Sequence, residues 1–240
     1  MHHLDVLVFA AHPDDAELSM GGTIAKLAKK GLKVGIYDLT RGELGTRGSV
    51  DIRQEEAVKA GVILKVSMRE NLDFPDGSIE INNENIHKVV SVIRRHKPAI
   101  VFAPYKNDRH PDHMDASALI KRAVFASGLP KVTTFFNNHH QDAYRPSKVY
   151  YYMQTYTFEP TFIVDITSYF DTKMAAVEAF KSQFHDPKNK EPETFISQPG
   201  FMEFIKSRAK FYGFKIGKQY GEPFYCEENI EYDFSSDLKK

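Results

Sequence analysis

Asp5-Val6-Leu7-Val8-Phe9-Ala10-Ala11-His12-Pro13-Asp14-Asp15-Ala16-Glu17 is an apolar run that stops abruptly at a histidine, a proline and a cluster of carboxylates. Asp5–Ala11 is strand-sized and apolar throughout, the pattern of a strand covered on both faces. The carboxylates then open a helix over Asp14–Lys30. Met20, Ile24, Leu27 and Ala28 recur at helical spacing along it, and Gly31 ends it. Outward from this unit the alternation continues. Strands are expected at Leu32–Leu39, near Lys65–Met68 and at Ala99–Pro104, with helices over Ile52–Leu64, Glu84–His96 and Asp112–Ser127. Strand and helix in turn imply a parallel sheet with helices on both sides, a Rossmann-like α/β fold. The second half is less regular. Lys148–Gln154 and Phe162–Ile166 read as strands, and Asp171–Phe184 and Phe201–Phe214 as helices. Asp186–Lys190 reads as a polar loop, and the chain from Glu227 as an acidic, frayed tail. This half is expected to form a smaller α+β elaboration of one domain spanning residues 1–240.

Composition narrows the function classes. Hydrophobic residues make up 42% and charged residues 27%, enough for a sizeable core. Lys+Arg and Asp+Glu both number 32, so no net charge draws the chain to nucleic acid or a membrane surface. No apolar run approaches the roughly 20 residues of a membrane helix. The N-terminus has no signal-peptide pattern, and His2 and His3 are read as native. Cys226 is the single cysteine, which excludes an intrachain disulfide and fits a reducing cytoplasm.

A second segment, Arg109-His110-Pro111-Asp112-His113, repeats the chemistry of the first just after the Ala99–Pro104 strand. In each, a histidine leaves a strand end, a proline opens a helix and a carboxylate sits in the first turn. Proline suits that position because it has no backbone donor to satisfy, and the helix dipole favours the acid. Ligands of open α/β sheets bind beyond the carboxyl ends of the strands, so the two segments should meet in one crevice. His12 and Asp15 stand at i and i+3, as do His110 and His113, which puts each pair on one side of a helix start. His12, Asp15 and His113 would form a two-histidine, one-carboxylate metal set with a coordination position left for water. Asp14 and His110 then remain as an acid–base pair, with Asp112 placed to orient His110 through its second ring nitrogen. The same ligand types hold iron(II) in oxygenases, but those sites belong to β-rich folds.

These two segments, with Thr40-Arg41-Gly42-Glu43 and Arg53-Gln54-Glu55-Glu56-Ala57 between them, resemble the LmbE-like N-acetylglucosaminyl deacetylases. The likeness is clear over about the first half of the chain and looser through Ser182-Gln183-Phe184 and the C-terminal helix. Thr40–Leu64 and the overall length are most similar to the bacillithiol-biosynthesis deacetylases, which act on N-acetylglucosaminyl malate. The resemblance implies a hydrolase that removes an acetyl group from a glucosamine-type amine. It implies zinc, or ferrous iron, on His12, Asp15 and His113, with Asp14 as general base and His110 stabilising the oxyanion or protonating the leaving amine. It gives Arg53 to substrate contact, with Arg109 a second cation for an anionic aglycone. Asp108 departs from a tyrosine found there in some relatives, so no phenol-assisted step is expected. A homo-oligomer, a hexamer in the family's manner, is implied too. The alternatives are another N-acetylglucosamine conjugate, a chitooligosaccharide, or a sugar-binding protein that keeps its metal without turnover.

Other features read more simply. Gly21-Gly22 lacks the dinucleotide fingerprint and suits close packing of the helix on the sheet. Thr40–Gly48 is a connection or a substrate loop. Asp73-Phe74-Pro75-Asp76-Gly77 is a turn. His139, His140 and His185 are loop residues, and Tyr150-Tyr151-Tyr152 is strand packing. Phe201, Phe204, Ile205 and Phe211 form core or a subunit interface.

Overall fold

The side chains of the first strand, β1 (Val6–Ala10), go alternately to two separate cores, and the rest of the architecture follows from that. Val6, Val8 and Ala10 pack on one side of the sheet, Leu7 and Phe9 on the other. The computed structural model describes residues 3–231. His2 and the part of the acidic tail from residue 232 onward lie outside them.

After β1 come α1 (Asp15–Lys29), β2 (Val34–Thr40), α2 (Val50–Leu64), β3 (Met68–Phe74) and α3 (Asn83–His96). β4 (Ile100–Pro104) and α4 (Pro111–Ser127) follow, then a two-residue hairpin of β5 (Phe135–Phe136) and β6 (His139–His140). β7 (Lys148–Tyr152), β8 (Phe162–Asp165), α5 (Phe170–Val177), α6 (Phe201–Lys215) and β9 (Gly221–Tyr225) complete the chain. The main sheet runs β3-β2-β1-β4-β7-β9-β8. The strands from β3 to β7 are parallel, β9 runs against both its neighbours, and Val6 faces Val34 on one side and Ile100 on the other. This is the mostly parallel, helix-flanked α/β sheet expected from the alternation. Residues of α1, α2, α5 and α6 fill one core; α3 and α4 fill the other. No helix among the described residues is long and apolar enough to cross a membrane.

The differences from the expected elements have physical reasons. β3 begins at Met68, where its expected span ended, because Lys65 turns the chain out of α2 in a left-handed conformation, φ 58°. Its charged residues are legible only afterwards: Arg69 pairs with Asp38 and Glu17, and Glu70 with Arg95 and Tyr37. α5 stops at Val177 rather than Phe184, and the released backbone N–H of Ser182 reaches Glu56 at 2.7 Å. β9 was not anticipated, since Glu222 and Pro223 read against a strand. Gly21 and Gly22 do permit close approach, but toward Lys173 and Ile166 rather than the sheet: a Cβ on Gly22 would lie 2.8 Å from Ile166.

Candidate active site

β1 and β4 are neighbours, and the chain departs from their ends toward opposite faces, so the crevice between them receives both histidine segments. His12 ends the first strand. Asp14 caps α1 with φ 121° and ψ −26°, a strained backbone for a residue with a side chain, and its carboxylate makes no capping bond. His110 caps α4 instead of the usual Ser or Asp: its Nδ1 accepts the Asp112 backbone N–H at 3.2 Å, with Pro111 next in line. With Nδ1 an acceptor, a neutral His110 carries its proton on Nε2.

Asp15 stands between the two other histidines. Its Oδ2 lies 3.6 Å from His12 Nδ1 and accepts the His12 backbone N–H at 2.9 Å, while Oδ1 lies 3.2 Å from His113 Nε2. The opposite ring nitrogens are each held by carboxylates. His12 Nε2 meets Asp76 at 3.0 Å and Asp112 at 3.1 Å, and His113 Nδ1 meets Asp108 at 2.8 Å. A histidine fixed this way, one nitrogen on a carboxylate and the other turned toward a shared point, is built for a metal. Ring nitrogens of His12, His110 and His113 also lie within 4.8 Å of one another, as do donors of His12, Asp76 and Asp112. In the latter group Asp76 and Asp112 occupy the outer nitrogen of His12, so they orient it. Asp15 is in neither of these groups, but its carboxylate stands in ion-pair range of both rings, so His12, Asp15 and His113 are a donor set of the kind that binds a divalent cation.

The charges agree with that geometry. Burial opposes a charged His12, but Asp112, Asp15 and Asp76 outweigh it and raise its pKa well above the ordinary value. Burial likewise opposes a charged His113, yet Asp15 and Asp108 lift it to about 9. Burial would push Asp15 up, but His113 and His12 hold it well below the usual carboxylate range. His110 is pushed down by burial and by the two neighbouring rings, His12 and His113. Its ring stacks on His113 with centroids 4.9 Å apart.

Asp14 lies beside this group but turns to Arg53, whose Nη2 is 3.2 Å away. Burial raises the Asp14 carboxyl to about 7, opposed by Arg53 and His12 and assisted by Asp15 and Glu17. The same Arg53 nitrogen donates to Pro13 O at 2.8 Å, and Nη1 reaches Gly42 O at 3.4 Å. Gly42, with φ 66°, leaves no room for a Cβ, which would sit 2.2 Å from that guanidinium. Arg53, expected to hold substrate, thus spans Asp14 and two loops of its own chain. Asp112, expected to steady His110 with its carboxylate, touches it through the backbone N–H. Its carboxylate serves His12 and the Gly77 N–H instead.

A cleft of about 510 Å³ opens over these residues, within the range of small-molecule sites. Leu44, Gly45 and Thr46 line it, so the Thr40–Gly48 loop borders the cleft. Arg109 stands at its rim with its guanidinium 4.6 Å from the Phe195 ring centre and no carboxylate in ion-pair range among the described residues. Sequence reasoning missed four contributors. Asp76 looked like a turn residue, although its turn follows β3 at the sheet edge that carries His12. Asp108 was seen only as a departure from a tyrosine. Gln154, at the end of β7, donates to Asp15 at 2.6 Å, and Arg208 lines the cleft from α6. Neither of these last two had a local signal.

Comparison with known proteins bears on the same residues. A family profile described as "PIG-L: GlcNAc-PI de-N-acetylase" matches residues 7–124, which include both histidine segments. Diacetylchitobiose deacetylase of Thermococcus kodakarensis is 33% identical over 229 residues, 90% of this chain and 80% of that protein. A Bacillus cereus protein described as probable N-acetyl-alpha-D-glucosaminyl L-malate deacetylase 2 is 26% identical over 74% of this chain and 83% of its own length. Among solved structures, the conserved protein TT1542 of Thermus thermophilus superposes with a TM-score of 0.86 at 38% identity, covering 96% of this chain and 97% of its own.

Proposed function

We propose, from the premise that the chain belongs to the PIG-L/LmbE-like deacetylase family and is an N-deacetylase of N-acetylglucosamine-type substrates, that it hydrolyses N-acetylglucosaminyl malate on a Zn2+ site. His12, Asp15 and His113 would hold the ion, with Fe2+ the alternative metal. The observation that carries this reading is the convergence of two carboxylate-backed histidines on Asp15, with a second carboxylate, Asp14, left beside them. A divalent cation bound there supplies Lewis acidity, polarising the amide carbonyl and acidifying the attacking water.

The chain's own residues do the rest. Asp14, whose pKa of about 7 suits a base at neutral pH, takes the proton of the water. Neutral His110 has its Nδ1 occupied by a backbone N–H, so its Nε2–H is the donor available to the tetrahedral oxyanion. The amine leaves with a proton returned by Asp14 or relayed through His110. Arg53 keeps Asp14 turned toward this chemistry and lowers the cost of its charge. Arg109, a cation at the cleft rim without a carboxylate partner among the described residues, favours an acidic aglycone such as malate over a neutral second sugar.

Acetate release from N-acetylglucosaminyl malate and from diacetylchitobiose, with Zn2+ added to metal-stripped protein, tests both levels of the proposal. Faster turnover of the malate conjugate is expected, and Arg109→Ala should erase the preference by raising KM for that substrate. A preference for diacetylchitobiose would move the chain to the chitooligosaccharide branch. Full activity without any divalent metal would remove the cation from the reaction.

A further inference from the structure

Helix α1 is broken. Met20 has φ −140° and ψ 20°, outside helical values, so the turn carrying Asp15 and Leu18 is a separate piece from the remainder. A break inside a buried helix strands backbone donors on one side and acceptors on the other, and both need partners. Here both have them, and the partners come from the far end of the chain. The Gly22 and Thr23 N–H groups donate to the Glu222 carboxylate at 3.0 and 2.7 Å, as does the Thr23 hydroxyl at 2.6 Å. Lys173 pairs with that carboxylate at 2.6 Å, which makes its burial tolerable. On the other side, the Leu18 carbonyl, which Gly22 would satisfy in an unbroken helix, accepts Arg208 Nη2 at 2.9 Å.

Arg208 has a second grip. Its Nη1 donates to the backbone carbonyl of Gln154. The Gln154 side chain donates to Asp15 Oδ1 at 2.6 Å and lies 3.3 Å from His113 Nε2. The next two backbone N–H groups, of Thr155 and Tyr156, donate to Asp108, the carboxylate that orients His113. One guanidinium therefore joins the first turn of α1 to the segment after β7, and that segment touches Asp15 and His113 together. The fork geometry of arginine permits two carbonyls at once; a lysine ammonium cannot reproduce it.

We propose that Arg208 and Gln154 are positioning residues that set the Asp15 carboxylate against His113, so that the C-terminal helix tunes the metal affinity of a site otherwise built from the N-terminal half. The inference rests on the reading of Asp15 and His113 as ligands. The test is Zn2+ affinity of the full-length chain by chelator competition, for Gln154→Leu, Arg208→Lys and the double variant, with thermal melting and kcat and KM recorded alongside. Each single change should weaken Zn2+ about 10–100-fold, the usual effect of disturbing a ligand's supporting partner. The double variant should be little worse than either, because both act through one chain of contacts. KM for the acetylated sugar should hold while kcat falls. Affinity within about twofold of the parent for Gln154→Leu would overturn the proposal even if Arg208→Lys failed to fold. A lowered melting temperature with unchanged affinity and kcat would overturn it too, leaving a purely structural clasp. His113→Ala is the control: if that variant binds Zn2+ normally, the ligand reading has failed, whereas tight binding by Gln154→Leu beside loss in His113→Ala refutes only the positioning role.

Discussion

Arg53 offers the sharpest separation of two roles, because the family resemblance implied a contact to substrate and its geometry puts it on Asp14, the proposed base. Replacing it with methionine keeps most of the side-chain volume and removes the charge 3.2 Å from Asp14. A charge-assisted hydrogen bond in such a buried setting contributes about 1.5–3 kcal/mol. Lost from the ionised form of Asp14, that amount slows kcat/KM by roughly 10–150-fold at fixed pH. The direction of the pH effect follows from the same charge. Asp14 works as a base only when deprotonated, so activity is lost as pH falls through its pKa. Arg53 holds that pKa down against burial, so its removal moves the acid limb upward, by about one to two pH units. Acetate release measured between pH 5 and pH 9, on a malate and a methyl glycoside of N-acetylglucosamine, would show equal losses on both substrates. An acid limb that stays in place, with loss confined to the malate compound, would refute the assignment and return Arg53 to the aglycone.

Asp14→Asn should bind Zn2+ as the parent does yet lose at least about 100-fold in kcat, the usual contribution of a general base; chelator competition and turnover on one preparation check both halves. Metal-stripped protein near pH 7 holds protons on His12 and His113, since both pKa values are raised. Zn2+ binding should therefore release about two protons, which calorimetry in buffers of different ionisation enthalpy reads directly, and affinity should weaken as pH falls. Lys173→Met leaves Glu222 charged, buried and without its cation. That change should cost about 3–5 kcal/mol of stability, seen as a lowered denaturation midpoint. On α6, Phe211 and Phe214 are 57% and 84% exposed. If the chain forms the oligomer its family resemblance implies, sedimentation should show Phe214→Ser shifting mass toward the monomer.

The legible part of this protein is the part in which neighbours in sequence do the work. Val6–Ala10 and Ile100–Pro104 are unbroken apolar runs, and the His-Pro-carboxylate pattern after each carries a helix start that physics constrains locally. Those two facts suffice to bring His12, Asp14, Asp15, His110 and His113 together. The illegible part is made of contacts across the fold. Nothing near Asp76 in sequence announces that its carboxylate will meet a histidine 64 positions earlier. Nothing in the pattern of β9 shows that Glu222 answers a break in α1, two hundred positions away. Polar residues whose partners are distant look like surface residues until the sheet order is known.

That division also explains why the site is split as it is. The two histidine segments supply every atom proposed to touch the metal or the scissile amide. Their orientation is fixed by residues from later elements, Asp76 after β3, Asp108 after β4 and Gln154 after β7. A chain keeping only the region matched by the family profile, residues 7–124, would retain the proposed ligands but lose Gln154, Arg208 and Glu222, and with them the partners of the α1 break. In the intact fold, an apolar residue in place of Arg208 or Glu222 would likewise leave the Leu18 carbonyl, or the Gly22 and Thr23 N–H groups, without these partners inside the core, each costing about 1–3 kcal/mol. The ligand turn would have every reason to rewind into a continuous helix, carrying Asp15 away from His113. The C-terminal segments, which reach Asp15 and His113 through Gln154, are therefore as much a part of the proposed metal site as the histidine segments themselves.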